Sequence, residues 1–315
     1  MQKSTLALIS IFFLNISISA QPTVEAELPY HIPQKQIKPL RQLLDKSLQK
    51  ELEKELNSHK LWKRLLGKKK MAVGLVDISD STHIKFARVN GDVMMYAASL
   101  PKLAVLLAAA QSLEDNTLQP THEILRDMRI MISKSDNGAA TRMIDRLGFE
   151  YIQSVLTNPR YELYDPSRGG GLWVGKRYAK RGRRYPDPLM GLSHGASVTQ
   201  ICRFYYLLAT GQLVNRGRSV QMLEILSDPE IHHKFVNTLD NIVPDAKLYR
   251  KSGTWANWHS DSVMVWGPVW RRYIAAALVE DPKGEKILRE LIPVIENILK
   301  VQSDVKAKKL VNKPG

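Results

Sequence analysis

The sequence predicts an α+β protein of the α/β sandwich type, with an antiparallel sheet drawn from N- and C-terminal segments, packed with helices, and a central all-helical subdomain. Three observations predict it. Two short apolar runs, 71–76 and 84–89, stand near the start, a helical middle follows from Leu100, and three strand-like runs with a helix close the chain. Of the 315 residues 44% are hydrophobic and 24% charged, so one sizeable core can form.

Taken in order, residues 1–20 read as a signal peptide. Lys3 precedes an apolar run over 6–16, and the small residues Ser17, Ser19 and Ala20 stand before Gln21. The run is too short to span a bilayer, and the sequence after it suggests no transmembrane anchor, so the expected location is periplasmic or secreted. The remaining chain, 21–315, reads as one domain with a sheet subdomain at about 34–95 and 240–300 and a helical subdomain at about 96–239.

Leu40, Leu43, Leu44, Leu48, Leu52 and Leu56 recur at three- and four-residue spacing, which predicts an amphipathic helix across 33–65. The runs at 71–76 and 84–89 flank the turn signals Asp80 and Ser81 and predict a strand pair. A buried helix is expected from Ser99 to Leu113, with Pro101 in its tolerant first turn. Further helices are expected at about 121–134, 138–147 and 149–157. Pro159, Pro166, Pro186, Pro188, Gly169, Gly170 and Gly171 predict a long irregular basic loop over 158–196. Ser197 and Gln200 form a capping-box pair opening a helix to about Ala209, and helix continues to about 238. Strands follow at 247–254, 261–267 and 271–279, then a helix at 285–299 and a disordered tail from Lys306.

Lys and Arg number 46 against 31 Asp and Glu, a formal charge of +15. Export disfavours nucleic acid and favours anionic lipid headgroups, cell-wall polymers or carboxylate-bearing substrates. The basic runs at 60–70 and 176–184 read as solvated faces. Cys202 is the only cysteine, which excludes an internal disulfide and zinc-thiolate clusters, and it reads as a small buried hydrophobe. His232 and His233 are adjacent and cannot share one metal from one helix face, so no metal and no cofactor is expected. Trp255, Trp258, Trp266 and Trp270 flank the last strands and read as core or edge-strand packing in preference to lining a cleft beyond Thr254.

A serine hydroxyl needs a base to become a nucleophile, and Ser-x-x-Lys at a helix start puts an amine one turn away on the same face. The motif occurs at Ser47/Lys50, Ser99/Lys102 and Ser303/Lys306. Only Lys102 heads an apolar helix. Burial matters because an ordinary lysine, with a pKa near 10.4, costs roughly 4–5 kcal/mol to hold neutral at pH 7. Ser135-Asp136-Asn137 is the single Ser-x-Asn, and Lys251-Ser252-Gly253 the single Lys-(Ser/Thr)-Gly, in that order.

With these three motifs the chain resembles the class A β-lactamases and penicillin-binding D,D-peptidases from about residue 34 to 300. The resemblance implies a β-lactamase/transpeptidase-like fold and a serine hydrolase that forms an acyl-enzyme. Ser99 would be the nucleophile, Lys102 the base and Ser135 the proton shuttle. Asn137, Lys251, Ser252 and Gly253 would hold the substrate, with Asp136 structural. The backbone N–H groups of Ser99 and Thr254 would form the oxyanion hole. The class A Glu-x-x-Leu-Asn pattern is missing from the loop: Ser167 falls near the glutamate's place, and Glu162, Asp165 and Asp187 read as turn residues. Acylation of a β-lactam is therefore expected to outrun deacylation. The short segment between Lys102 and Ser135 implies a cleft open on one side. The alternatives are a D,D-carboxypeptidase-like peptidoglycan peptidase and a non-catalytic wall- or ligand-binding protein, each expected as a monomer.

Overall fold

The computed structural model describes residues 27–227 and 229–311, so the expected signal peptide lies outside the described residues. A five-stranded antiparallel sheet is built from β1 (Met71–Asp77), β2 (Lys85–Val89), β3 (Lys247–Trp255), β4 (Trp258–Trp266) and β5 (Arg272–Glu280), in the order β2-β1-β5-β4-β3. The first and last thirds of the chain meet where β1 pairs β5, with Met71 opposite Val279 and Asp77 opposite Tyr273.

Alternate residues of these strands feed two cores, as the period of two requires. Met71, Val73 and Leu75 of β1, with Tyr273, Ala275 and Ala277 of β5, pack on one face with α1 (Lys46–Ser58), α2 (Lys60–Gly67) and, near the other end of the chain, the helices at 235–242 and 284–311. Ala72, Val76, Ile274, Ala276 and Leu278 face the larger core. That core contains α3 (Lys102–Glu114), α4 (His122–Ser133), α5 (Asn137–Leu147), α6 (Phe149–Thr157) and α7 (Val198–Ala209). Completing the order are α8 (Arg216–Leu226), α9 (Phe235–Ile242) and α10 (Gly284–Val311). Gly74 lets α7 approach: a Cβ there would stand 2.7 Å from the buried sulfur of Cys202.

Four expectations are corrected. The leading amphipathic stretch starts its α-helix only at Lys46, capped by Asp45, whose carboxylate accepts from Leu48 N, and it breaks at His59, where the backbone is extended. Leu44 is consequently exposed. The helix expected from Ser99 starts at Lys102, because Ala98 takes a positive φ and 98–101 form a turn. Ser197 precedes α7 but makes no capping bond, and its hydroxyl and the Gln200 carbonyl oxygen lack partners. The helix α10 runs to Val311, well past Leu299, since nothing in Val301–Leu310 breaks it.

Candidate active site

Three segments meet between the sheet and the helical part. The turn before α3 carries Ser99, which is half-buried, and Lys102 follows as the first residue of that helix, fully buried. The short connection from α4 to α5 carries Ser135, Asp136 and Asn137. Asp136 caps α5 by accepting from Ala139 N at 2.6 Å, so its role is structural. Buried Asp127 on α4 holds Arg142 and Arg146 of α5, locking the corner that presents Ser135 and Asn137.

β3 supplies the third segment. Lys251 and Gly253 point to the larger core's side of the sheet, and Gly253 touches the turn: a Cβ on it would stand 2.3 Å from Ala97 O and 2.6 Å from Ser99 N. Only glycine permits that approach. Ser252 lies next to Lys251 on the strand, opposite Asp261, and is 4% exposed.

The amine of Lys102 donates to Ser135 O at 2.5 Å, Asn137 Oδ1 at 2.8 Å and Ser135 Oγ at 3.3 Å. Lys251 Nζ donates to the same Ser135 Oγ at 2.8 Å and to Ser252 O at 3.0 Å. Ser99 joins through the backbone, its carbonyl accepting from Lys102 N at 3.2 Å; its hydroxyl is not among the hydrogen-bond partners of Lys102. Burial drives the Lys102 pKa down to about 7, opposed by the nearby Asp136 carboxylate. Burial, then the charges of Lys102 and Arg250, hold Lys251 well below the usual lysine range. A neutral Lys102 keeps two N–H groups for Ser135 O and Asn137 Oδ1 and frees a lone pair to accept a hydroxyl proton.

Two residues that sequence reasoning missed complete the surroundings. Tyr178, from the basic loop, places its ring 4.6 Å from the Lys102 amine and donates its hydroxyl to Ala98 O at 3.2 Å. Burial pushes its phenol well above the usual range, so it stays a neutral donor. Lys234, buried and at positive φ, donates to Gly253 O at 2.5 Å, Thr254 Oγ1 at 2.7 Å and Ser260 O at 3.1 Å. Behind it, the buried Arg250–Asp261 pair ties the segment before α9 to β3 and β4, through Ile231 O and Phe235 N. No local signal marks either residue, because both act through contacts made across the fold.

A cavity of about 840 Å³ opens above Ser99, Asn137 and Thr254. The basic run is corrected here: Lys176, Arg177, Lys180 and Arg184 line this cleft, whereas the run at 60–70 is a solvated face as expected. Trp255, 66% exposed, and Trp258 line it too, while Trp266 packs edge-on against Tyr30 and Trp270 lies under Arg271. Among the described residues no carboxylate lines the cleft. Ser167 is exposed and bonded to Asp165, Glu162 pairs with Arg203, and buried Asp187 accepts from Leu189 N, Met190 N, Leu192 N and Tyr164. No group of three or more potential metal ligands occurs among the described residues.

Residues 123–299 match the model of the beta-lactamase enzyme family. A beta-lactamase from Sphaerobacter thermophilus DSM 20745 superposes with a TM-score of 0.60 at 15% identity, covering 79% of this chain and 95% of that one. A mutant of PBP-A, solved as an acyl-enzyme complex with penicillin G, gives 0.60 at 18% identity over 85% of this chain and all of its own. A beta-lactamase from Chitinophaga pinensis DSM 2588 gives 0.59 at 13% identity, covering 82% and 99%. These likenesses establish the β-lactamase/transpeptidase-like fold. No curated protein matches the chain by sequence.

Proposed function

Because the chain belongs to the beta-lactamase enzyme family, whose members are serine hydrolases, we propose that it opens a β-lactam or related amide or ester through an acyl-enzyme on Ser99. The observation that carries this reading is the buried Lys102 amine in the hydrogen-bond cluster of Ser135, Asn137 and Lys251.

In this reading the lone pair of Lys102 takes the Ser99 proton as Oγ bonds to the carbonyl carbon. The backbone N–H groups of Ser99 and Thr254 stabilise the oxyanion, and the contact between Gly253 and the Ser99 turn holds the two segments together. The proton returns through Ser135 Oγ to the leaving nitrogen as the C–N bond breaks. Asn137 holds the substrate amide, and Lys251 and Ser252 hold its carboxylate. Lys234 steadies the Gly253-Thr254 edge from behind.

Release of the acyl group needs an activated water, and the cleft offers no carboxylate for that among the described residues. β-Lactam turnover is therefore expected to be slow, and the carboxylate-free lining favours a D,D-peptidase-like substrate as the second reading. Residues 1–20 export the protein to the periplasm or beyond, and no helix among the described residues is long and apolar enough to cross a membrane.

The test is intact-mass spectrometry over time with penicillin G and with an acyl-D-alanyl-D-alanine peptide. A persistent penicillin adduct supports the proposal. Rapid loss of that adduct overturns slow release, and no adduct with either compound favours a binding protein on this scaffold.

A further inference from the structure

The basic run that lines the cleft is a built element. Lys176 bridges Arg184 in antiparallel fashion, Tyr185 N donates to Gly175 O at 2.5 Å, Gly175 N to Ser193 O at 2.7 Å, and Trp173 Nε1 to Tyr185 O at 2.8 Å. Gly175 is obligatory, because a Cβ there would fall 1.6 Å from Tyr185 O. Buried His194 donates its Nε2–H to Lys176 O, 3.0 Å away, and stays neutral, its pKa driven down to about 4 by burial and then by Lys176, Lys102 and Arg184. A lining histidine thus adds no charge, while the hairpin's own cations do.

Those cations differ in their engagement. Arg177 pairs with Asp145 of α5 at 2.5 Å, and Arg183 stacks over Tyr185 at 4.8 Å. Lys176, Lys180 and Arg184 line the cavity with no carboxylate partner among the described residues. Three uncompensated cations in a concave wall concentrate positive potential where a substrate enters, and an anion on that substrate is the group such a wall recognises. The Arg177–Asp145 pair sets the hairpin over α5, the helix that Asn137 opens.

We propose that Lys176, Lys180 and Arg184 form a second anion subsite, which selects substrates bearing an additional carboxylate on the acyl side besides the carboxylate held by Lys251. This rests on the acyl-enzyme reading above and names its substrate class. The two carboxylates then bind at opposite ends of one cleft, with the scissile carbonyl over Ser99 between them.

The experiment compares acylation of the full chain by a phenylacetyl penicillin and by its counterpart carrying one more carboxylate on the α-carbon of that side chain. The doubly anionic compound acylates faster by about tenfold, as rim ion pairs add modestly and together. The preference falls as salt is raised to about 0.5 M, where exposed charges are screened. The Lys176→Gln/Lys180→Gln/Arg184→Gln variant loses the preference and keeps the rate for the singly charged compound. Equal rates in the wild-type chain, or a preference that survives both salt and the triple substitution, overturn the subsite while leaving acylation intact. Absence of any adduct with either compound overturns the reading on which it rests. The salt series on the wild-type chain decides the matter should the variant melt early.

Discussion

Lys251 Nζ donates to Ser135 Oγ at 2.8 Å, and Ser135 Oγ in turn accepts from Lys102 Nζ at 3.3 Å, so a single hydroxyl separates two buried amines. Burial disfavours the charge on both, and the charge of Lys102 further disfavours that of Lys251. This is how a lysine becomes a base near neutral pH.

With the Lys102 pKa lowered to about 7, the amine is charged below that value and neutral above it. The acylation rate should therefore rise about tenfold per pH unit below pH 7 and level off above it. A pH series of adduct formation by rapid-quench mass spectrometry checks this, and a flat profile from pH 5 to 8 would count against Lys102 as base.

Tyr178 covers the Lys102 amine with its ring. Tyr178→Ala lets water reach the amine, which raises its pKa and moves the midpoint of the acylation profile to higher pH. Tyr178→Phe keeps the ring and leaves the midpoint in place. If both variants keep the wild-type midpoint, the ring does not keep the amine dry.

Gly253→Ala forces a methyl group against Ala97 O and Ser99 N, both backbone atoms that cannot rotate away. Acylation should fall about 100-fold, the scale of losing one oxyanion donor. Circular dichroism should remain near wild type, with a stability loss of about 1–3 kcal/mol by urea titration.

Asp261→Ala strips the partner from Arg250, and the two side chains are 0% and 2% exposed. An uncompensated buried guanidinium should cost about 3–5 kcal/mol, read as a shift in the denaturation midpoint. A loss below about 1 kcal/mol, the range of an exposed pair, would mean that water replaces Asp261.

The sheet and the helices α4 to α6 are legible in the sequence because local pattern and burial agree there, and the strands at 247–255, 258–266 and 272–280 follow the period of two. The meeting of Lys102, Ser135, Asn137 and Lys251 is legible because their motifs are short and each has one setting that fits, whereas Ser99 joins them through its backbone. Periodicity carries the leading leucines past the break at His59, because a hydrophobic stripe does not record where the backbone turns extended. The capping-box pair Ser197 and Gln200 marks the right boundary by the wrong bonds. Tyr178, Lys234 and the cleft-facing lysines escape a sequence reading for one reason. Their partners lie 18 to 80 positions away in the chain and meet them only in the folded structure.

The central claim is that a neutral, buried Lys102 makes Ser99 the acylated residue. Peptide mapping after a penicillin pulse at pH 8 tests it most directly, run on the wild-type chain, Ser99→Ala and Lys102→Met. The account requires the acyl mass on the peptide containing Ser99 in the wild-type chain and on no peptide in either variant. An adduct on another residue, or full labelling of Ser99 in Lys102→Met, would contradict it.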